Sequence, residues 1–316
     1  MLPRRGGELR HCAKADDLRR GRVNMRIEEG NIDVDGHHVW YRRVGSGGVP
    51  LLVLHGGPGA GHDYLEPLEG LAAARSVVFF DQLGCGRSDR PDDRSLWRIE
   101  RFVAEVDTVR RALGLERIHL LGHSWGGWLA IEYMLSRPHG VVSLILASTS
   151  ASLPQFVAET ARLKGQLPLE IHRTLQRYEA VEDYRHPDYE AAVLEFYKRH
   201  LCRLDPWPDA LLRSVENLNG NAVYETMNGP NEFIVIGNLK DWDRTDRLAE
   251  ISVPTLITVG RHDELTPQCA ETLHRGIPGS RMVLFEQSAH LAHLEEPDEY
   301  RRVVGDFLAQ SEAPRR

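Results

Sequence analysis

Cysteine is scarce in this chain. Its four residues, Cys12, Cys85, Cys202 and Cys269, lie far apart with no CxxC pairing. Such spacing offers neither a zinc site nor a disulfide framework. With no signal-peptide-like apolar segment at the N-terminus, the expectation is reduced thiols in a cytoplasmic protein that uses no metal and no cofactor. Lysine stands only at positions 14, 164, 198 and 240, and the rest of the basic side is arginine, a compositional bias rather than a functional patch. Positive charge is not in excess either: 39 Lys and Arg face 46 Asp and Glu, giving a net charge of −7 and a pI near 6.1. That balance removes the usual electrostatic footprint for nucleic acid or an anionic membrane. The longest apolar runs, at 141–147 and 253–259, are far shorter than a bilayer span. No repeat with a period of about 20–50 residues is present. What remains is a chain of 316 residues, 41% hydrophobic and 27% charged, which suits a globular enzyme built as one large α/β domain with an insertion or as two small domains.

Residues 1–24 are rich in Arg and Gly without apolar periodicity, and read as a disordered extension or a start placed too early, with Met25 as the initiator. From there the texture changes. Segments 26–34 and 37–44 flank Asp35-Gly36, a hairpin signal. Short apolar runs at 50–54, 76–80, 117–121, 142–147, 254–259 and 281–285 suit strands covered on both faces. Helical patterns at 99–113, 125–136, 267–275 and 297–309 alternate with them, which predicts a mostly parallel, doubly wound α/β sheet. After Ser150 the alternation stops. Segment 153–223 carries only helical patterns, broken at Pro168, Pro187, Pro206 and Pro208. The expected organisation is a core of residues 25–150 and 241–316, with a helical cap of residues 151–240 roofing the carboxyl ends of the strands, where ligands bind in open α/β sheets.

The strongest local signal is Gly122-His123-Ser124-Trp125-Gly126-Gly127, directly after a predicted strand and at the start of a predicted helix. This is the strand–turn–helix setting of a nucleophile elbow. A serine on a strained turn projects its hydroxyl, and glycines on either side let strand and helix approach. A glycine-rich turn holding an ordinary serine is the plain alternative, and the context argues against it. A serine also needs a base and an orienting acid. Asp263 follows the strand at 254–259 and His290 follows the strand at 281–285, so both sit on loops at the face that presents Ser124. His290 is expected to be the base and Asp263 its orienter, with His262 and His293 as competitors for the base. For the oxyanion, the backbone N–H groups of Gly57 and of Trp125 are the expected donors. The Trp125 side chain is expected to line or narrow the acyl pocket, Asp81 to fix its own loop, and Cys85 to be a buried small residue rather than a second nucleophile.

Together these motifs resemble an α/β-hydrolase of the proline iminopeptidase family, in particular the tricorn-interacting aminopeptidase branch. His55-Gly56-Gly57-Pro58-Gly59 matches the family's HGGPG loop, Asp81-Gln82-Leu83-Gly84-Cys85-Gly86-Arg87-Ser88 its DQ-x-G-x-G-x-S segment, and residues 122–127 its elbow. The similarity runs from about residue 25 to the C-terminus and is weak in the cap except at its last segment, Met227-Asn228-Gly229-Pro230-Asn231-Glu232-Phe233. In that branch a glutamate here and the glutamate after the triad aspartate bind the substrate's α-ammonium. The resemblance therefore implies Glu232 and Glu264 as the amine-binding pair, and a small peptide or aminoacyl amide with a free α-amine as substrate. A buried ammonium needs charge-assisted acceptors, so an acylated amine is expected to be rejected.

The implied activity is a serine aminopeptidase or amidase that removes an N-terminal residue, proline, alanine or another small or apolar one, through an acyl-enzyme. Three alternatives stay open on sequence. The same chemistry suits an aminoacylated biosynthetic intermediate such as a macrolactam antibiotic precursor. A carboxylesterase or lactonase uses the same triad but gains nothing from two acids in its pocket. A non-catalytic receptor shares only the fold.

Overall fold

The computed structural model describes residues 26–313, so the expectations placed on residues 1–24 and on Met25 lie outside the described residues. Eight strands form one sheet: β1 (Ile27–Val34), β2 (His37–Val44), β3 (Leu51–Leu54), β4 (Val77–Phe80), β5 (Ile118–His123), β6 (Val141–Ala147), β7 (Thr255–Gly260) and β8 (Arg281–Phe285). Their spatial order is β1-β2-β4-β3-β5-β6-β7-β8. The first two strands make the anticipated hairpin, with Asp35 at φ 53° and Gly36 at φ 81°, and β2 pairs antiparallel with β4. From β4 onward every pairing is parallel. Strands β3 to β7 are buried almost throughout, as wholly apolar runs require. Strand β8 departs from that expectation: it is the last strand of the sheet, Arg281 is exposed and Met282, Val283 and Leu284 are only half-buried.

The helices are α1 (Ile99–Ala112), α2 (Trp125–Leu135), α3 (Leu153–Lys164), α4 (Leu169–Glu179), α5 (Pro187–His200), α6 (Asp209–Leu218), α7 (Ala222–Met227), α8 (Pro267–Gly276), α9 (Ala292–Glu295) and α10 (Pro297–Glu312). Helices α3 to α7 follow one another between β6 and β7 with no strand of the sheet among them. The prolines punctuate this run as expected: Pro168 and Pro208 precede α4 and α6, and Pro187 opens α5, where its missing N–H costs nothing. This stretch has a small core of its own, built from Leu163, Leu175, Tyr189, Phe196 and Phe233. Two larger cores sandwich the sheet, one centred on α1 and α2 and the other on α10 and a 3-10 run at Asp63–Ala73. That 3-10 run has no counterpart in the sequence reading, because Pro67 and Gly70 break any helical period. No helix of the described residues is long and apolar enough to cross a membrane.

The sheet order decides where a site can form. The chain steps from β3 to β4 on one side and then crosses to β5 on the other side of β3. The winding reverses between β3 and β5, so the loops leaving their carboxyl ends diverge and open a crevice. Loops after β7 and β8 leave the same edge, because these strands run parallel to β5.

Candidate active site

Ser124 sits between β5 and α2 at φ 57° and ψ −124°, a backbone conformation an L-residue adopts only under constraint. The glycines around it supply the constraint. A Cβ on Gly122 would lie 2.2 Å from Gly126 O, and one on Gly126 would lie 2.1 Å from Leu54 O. A Cβ on Gly127 would lie 2.4 Å from the Thr149 hydroxyl, which itself donates to Ser124 O at 2.9 Å. The elbow is thus a place where β5, α2 and β3 touch backbone to backbone. Ser124 is 6% exposed and lines a cavity, at the N-terminus of α2, where the helix dipole favours negative charge.

His290 and Asp263 reach the same place from the loops after β8 and β7. His290 Nδ1 and Asp263 Oδ1 are 2.8 Å apart, both groups are buried, and Asp263 Oδ1 also accepts from Leu265 N. His290 lines the cavity with Ser124. Among the described residues the Ser124 hydroxyl makes no hydrogen bond, a looseness common before substrate arrives. The two competing histidines are engaged elsewhere. His293 is buried beneath Tyr64 and bonds its carbonyl at 3.0 Å; burial holds its imidazole down at about 3. His262 lies outside the cavity wall, and its carbonyl faces His200 Nδ1 at 2.8 Å.

The loop after β3 supplies the opposite wall. Gly57 has φ 110°, and a Cβ there would lie 2.5 Å from Gly59 N, so only glycine fits this turn. Among the described residues neither Gly57 N nor Trp125 N donates a hydrogen bond, and both flank Ser124. What holds this wall in place has no local signal in the sequence. Gln82 donates from its backbone to His55 Nε2 (3.0 Å) and from its amide to His55 O (3.1 Å). Its Oε1 accepts the Trp125 indole N–H at 2.8 Å. That bond also corrects the expectation for the Trp125 side chain. It is fully buried, packs edge-on against Phe102 and Trp128, and does not line the cavity. Asp81 is a loop anchor, accepting from His62 N, His62 Nδ1 and Arg87 N. Cys85 is fully buried, and burial pushes its thiol well above the ordinary range, so it is no nucleophile.

Glu232 and Glu264 line the cavity alongside Ser124 and His290. The loop carrying Glu232 explains its own sequence. Asn231 Oδ1 accepts from Phe233 N and Ile234 N, Asn228 Nδ2 donates to Asn231 O, and Gly229 at φ 148° avoids Ile234 O, which a Cβ would approach to 2.2 Å. Tyr224 donates to Glu232 Oε1 at 2.8 Å. Glu264 follows Asp263, is 1% exposed, and its Oε2 has no hydrogen-bond partner among the described residues. Burial raises both carboxyl groups; Glu264 is driven well above the usual range, by burial first and then by the charges of Glu232 and Asp263. Among the described residues neither acid has a salt bridge. The nearby Lys164 is taken by Glu179. Two buried carboxyl groups pushed toward the protonated form, with no lysine or arginine paired with them among the described residues, suit a ligand that brings positive charge.

The lining also includes the apolar Leu211, Val215 and Leu218 of α6, together with the polar Tyr64, His123 and Ser214. Counting the open space at its mouth, the cavity measures about 450 Å³. A hydroxyl on a strained elbow, a histidine backed by a buried carboxylate and two free N–H donors can carry out acyl transfer.

Comparisons with known proteins give the family and the fold. The alpha/beta hydrolase fold family model matches residues 49–297. The chain is 44% identical to a proline iminopeptidase of Saccharolobus solfataricus over 291 residues, 91% of this chain and 94% of the relative. It is 39% identical to that of Thermoplasma volcanium, covering 90% and 98%. Among solved structures, a proline iminopeptidase of Mycobacterium smegmatis superposes with a TM-score of 0.85 at 39% identity, and VinJ with 0.87 at 38%. Each alignment covers 90% of this chain and 98% of the other. An esterase and a lactone-degrading enzyme at 23–24% identity share the fold alone.

Proposed function

This chain belongs to the proline iminopeptidase family of α/β hydrolases, and from that premise we propose that it is a serine aminopeptidase releasing N-terminal proline, or another small apolar residue, from a small peptide or aminoacyl amide. Ser124 Oγ attacks the scissile carbonyl while His290 Nε2 takes its proton. Asp263 holds the other ring nitrogen and balances the imidazolium that forms. The N–H groups of Gly57 and Trp125 receive the oxyanion, each worth about 10²–10³ in turnover. His290 then protonates the leaving amine, and water, activated by the same histidine, releases the acyl group from Ser124. Residues 151–240 act as the cap that delivers Glu232 to this centre, while residues 25–150 and 241–316 carry the triad.

The observation that carries the reading is the pair Glu232 and Glu264, uncompensated in the cavity that holds Ser124 and His290. A protonated primary α-amine, or the secondary ammonium of an N-terminal proline, supplies the missing charge and is held at a fixed reach from the nucleophile. An uncharged ester gives these acids nothing to bind. The test is Ser124→Ala with prolyl- and alanyl-anilides: turnover is expected to drop by about 10⁴-fold or more, together with loss of labelling by an active-site phosphonate. Retained hydrolysis removes Ser124 from the reaction and the proposal with it.

A further inference from the structure

The loop that binds the oxyanion and the loop that carries the base are joined by one hydrogen-bonded chain through the core. Gly56 N–H donates to Tyr64 Oη at 2.8 Å, the Tyr64 hydroxyl donates to His123 Nδ1 at 2.8 Å, and His123 Nε2–H donates to His290 O at 3.0 Å. Tyr64 and His123 are 4% and 2% exposed. The His123 ring meets the His290 ring edge-on at 4.7 Å between centroids. Every donor and acceptor along the chain is used, which fixes its direction and the His123 tautomer. We propose that His123, locked by Tyr64 as its Nε2–H tautomer, is the positioning residue that sets the main chain of His290 against Ser124.

The chain works in one protonation state only. A charged His123 presents Nδ1–H to Tyr64 Oη, which already receives Gly56 N–H, and the phenol proton is then left without an acceptor. The surroundings oppose that state. Burial holds the His123 imidazole well below the usual histidine range, and His290 and His293 on either side lower it further. No carboxylate makes a hydrogen bond or salt bridge with His123 among the described residues; its neighbours are Tyr64, His290 and His293. Burial likewise keeps the Tyr64 phenol protonated. The base at position 290 can therefore gain and lose its proton each cycle while the group that holds its backbone stays neutral. Because Gly56 precedes the Gly57 donor, the same chain keeps oxyanion donor and base in register, and a shift of about 1 Å in such a constellation costs about 10²-fold in rate.

The inference rests on the triad assignment above, and isosteric variants separate the two. An Asn amide at position 123 reproduces the Nδ1 acceptor for Tyr64 but reaches nothing at His290 O; a Gln amide reproduces the Nε2 donor. His123→Asn is expected to lower kcat on prolyl-anilide and the rate of phosphonate labelling together, by about 10-fold or more. The Ki of the free-amine competitor prolinol, which reports on the Glu232–Glu264 end of the cavity, should stay within about 2-fold. His123→Gln should recover most of the loss. Tyr64→Phe, which deletes one hydroxyl and serves if the Asn variant does not fold, should lose kcat with the same constant Ki. Unchanged kcat in His123→Asn and Tyr64→Phe, equal losses in the Asn and Gln variants, or a prolinol Ki rising in step with the kcat loss overturns the positioning role. A fully active Ser124→Ala measured alongside overturns the triad assignment instead.

Discussion

Glu264 shows at the scale of one residue how function is held against stability. Its carboxyl is 1% exposed, with one oxygen lacking a partner, and burial with the charges of Glu232 and Asp263 raises it well above the ordinary range. The native chain therefore keeps a proton that the unfolded chain releases above about pH 4.3. Stability from this group is complete below that pH and is lost as pH rises through the raised native value. Glu264→Gln should accordingly stabilise the fold at pH 8 by about 1–2 kcal/mol and change little at pH 4, while lowering kcat/KM for free-amine substrates. Urea denaturation at the two pH values reads the first effect, and a destabilised variant at pH 8 contradicts it. Ser124, Asp263 and His290 were legible from sequence because each follows a strand at a motif with a steric reason. Tyr64 and Gln82 were not. Their roles depend on partners 59 and 43 positions away in the chain, and no local pattern marks them.

At the scale of elements, the segment from the end of α5 to Arg203 is stitched to the loops that carry Asp263 and His290. His200 O accepts from Glu264 N, Leu201 O accepts from His290 N, and the Arg203 guanidinium donates to Gln287 O at 2.9 Å. Glu295 completes the strap: its two oxygens accept from Arg203 N and Ala289 N, both at 2.8 Å. The helical insertion and the His290 loop are in this way one mechanical unit. Glu295→Ala leaves two backbone donors without that acceptor, and is expected to cost about 1–2 kcal/mol of stability and to lower kcat. Thermal unfolding and steady-state kinetics read both, and a variant with wild-type kcat shows that the strap is not needed for alignment. Most elements were legible because strands and helices here keep clean periods with prolines at their starts. The run at Asp63–Ala73 was not, since it is held by contacts with α6 and α10 rather than by its own sequence pattern. The exposure of β8 was equally invisible, because an apolar run does not say whether a strand lies at the edge of its sheet.

For the molecule as a whole, the site belongs to no single stretch of chain. The Gly57 loop and the Ser124 elbow come from before the helical insertion, Glu232 from within it, and Asp263, Glu264 and His290 from after it. The reversal of winding between β3 and β5 opens the crevice, and the insertion closes one end of it with acid. The acidic side of the composition thus includes two buried acids, Glu232 and Glu264, that have no salt bridge among the described residues. The role proposed for this pair is to select for a free amine at the residue to be removed. The measurement that tests it most directly is kcat/KM for prolyl- and alanyl-anilides, each free and N-acetylated, beside a simple acetyl ester. The free amine is expected to be preferred by about 10²-fold or more, a preference abolished in a Glu232→Gln, Glu264→Gln double variant that still labels with phosphonate. Equal turnover of free and acetylated substrates, or an acetyl ester as the best substrate, contradicts it.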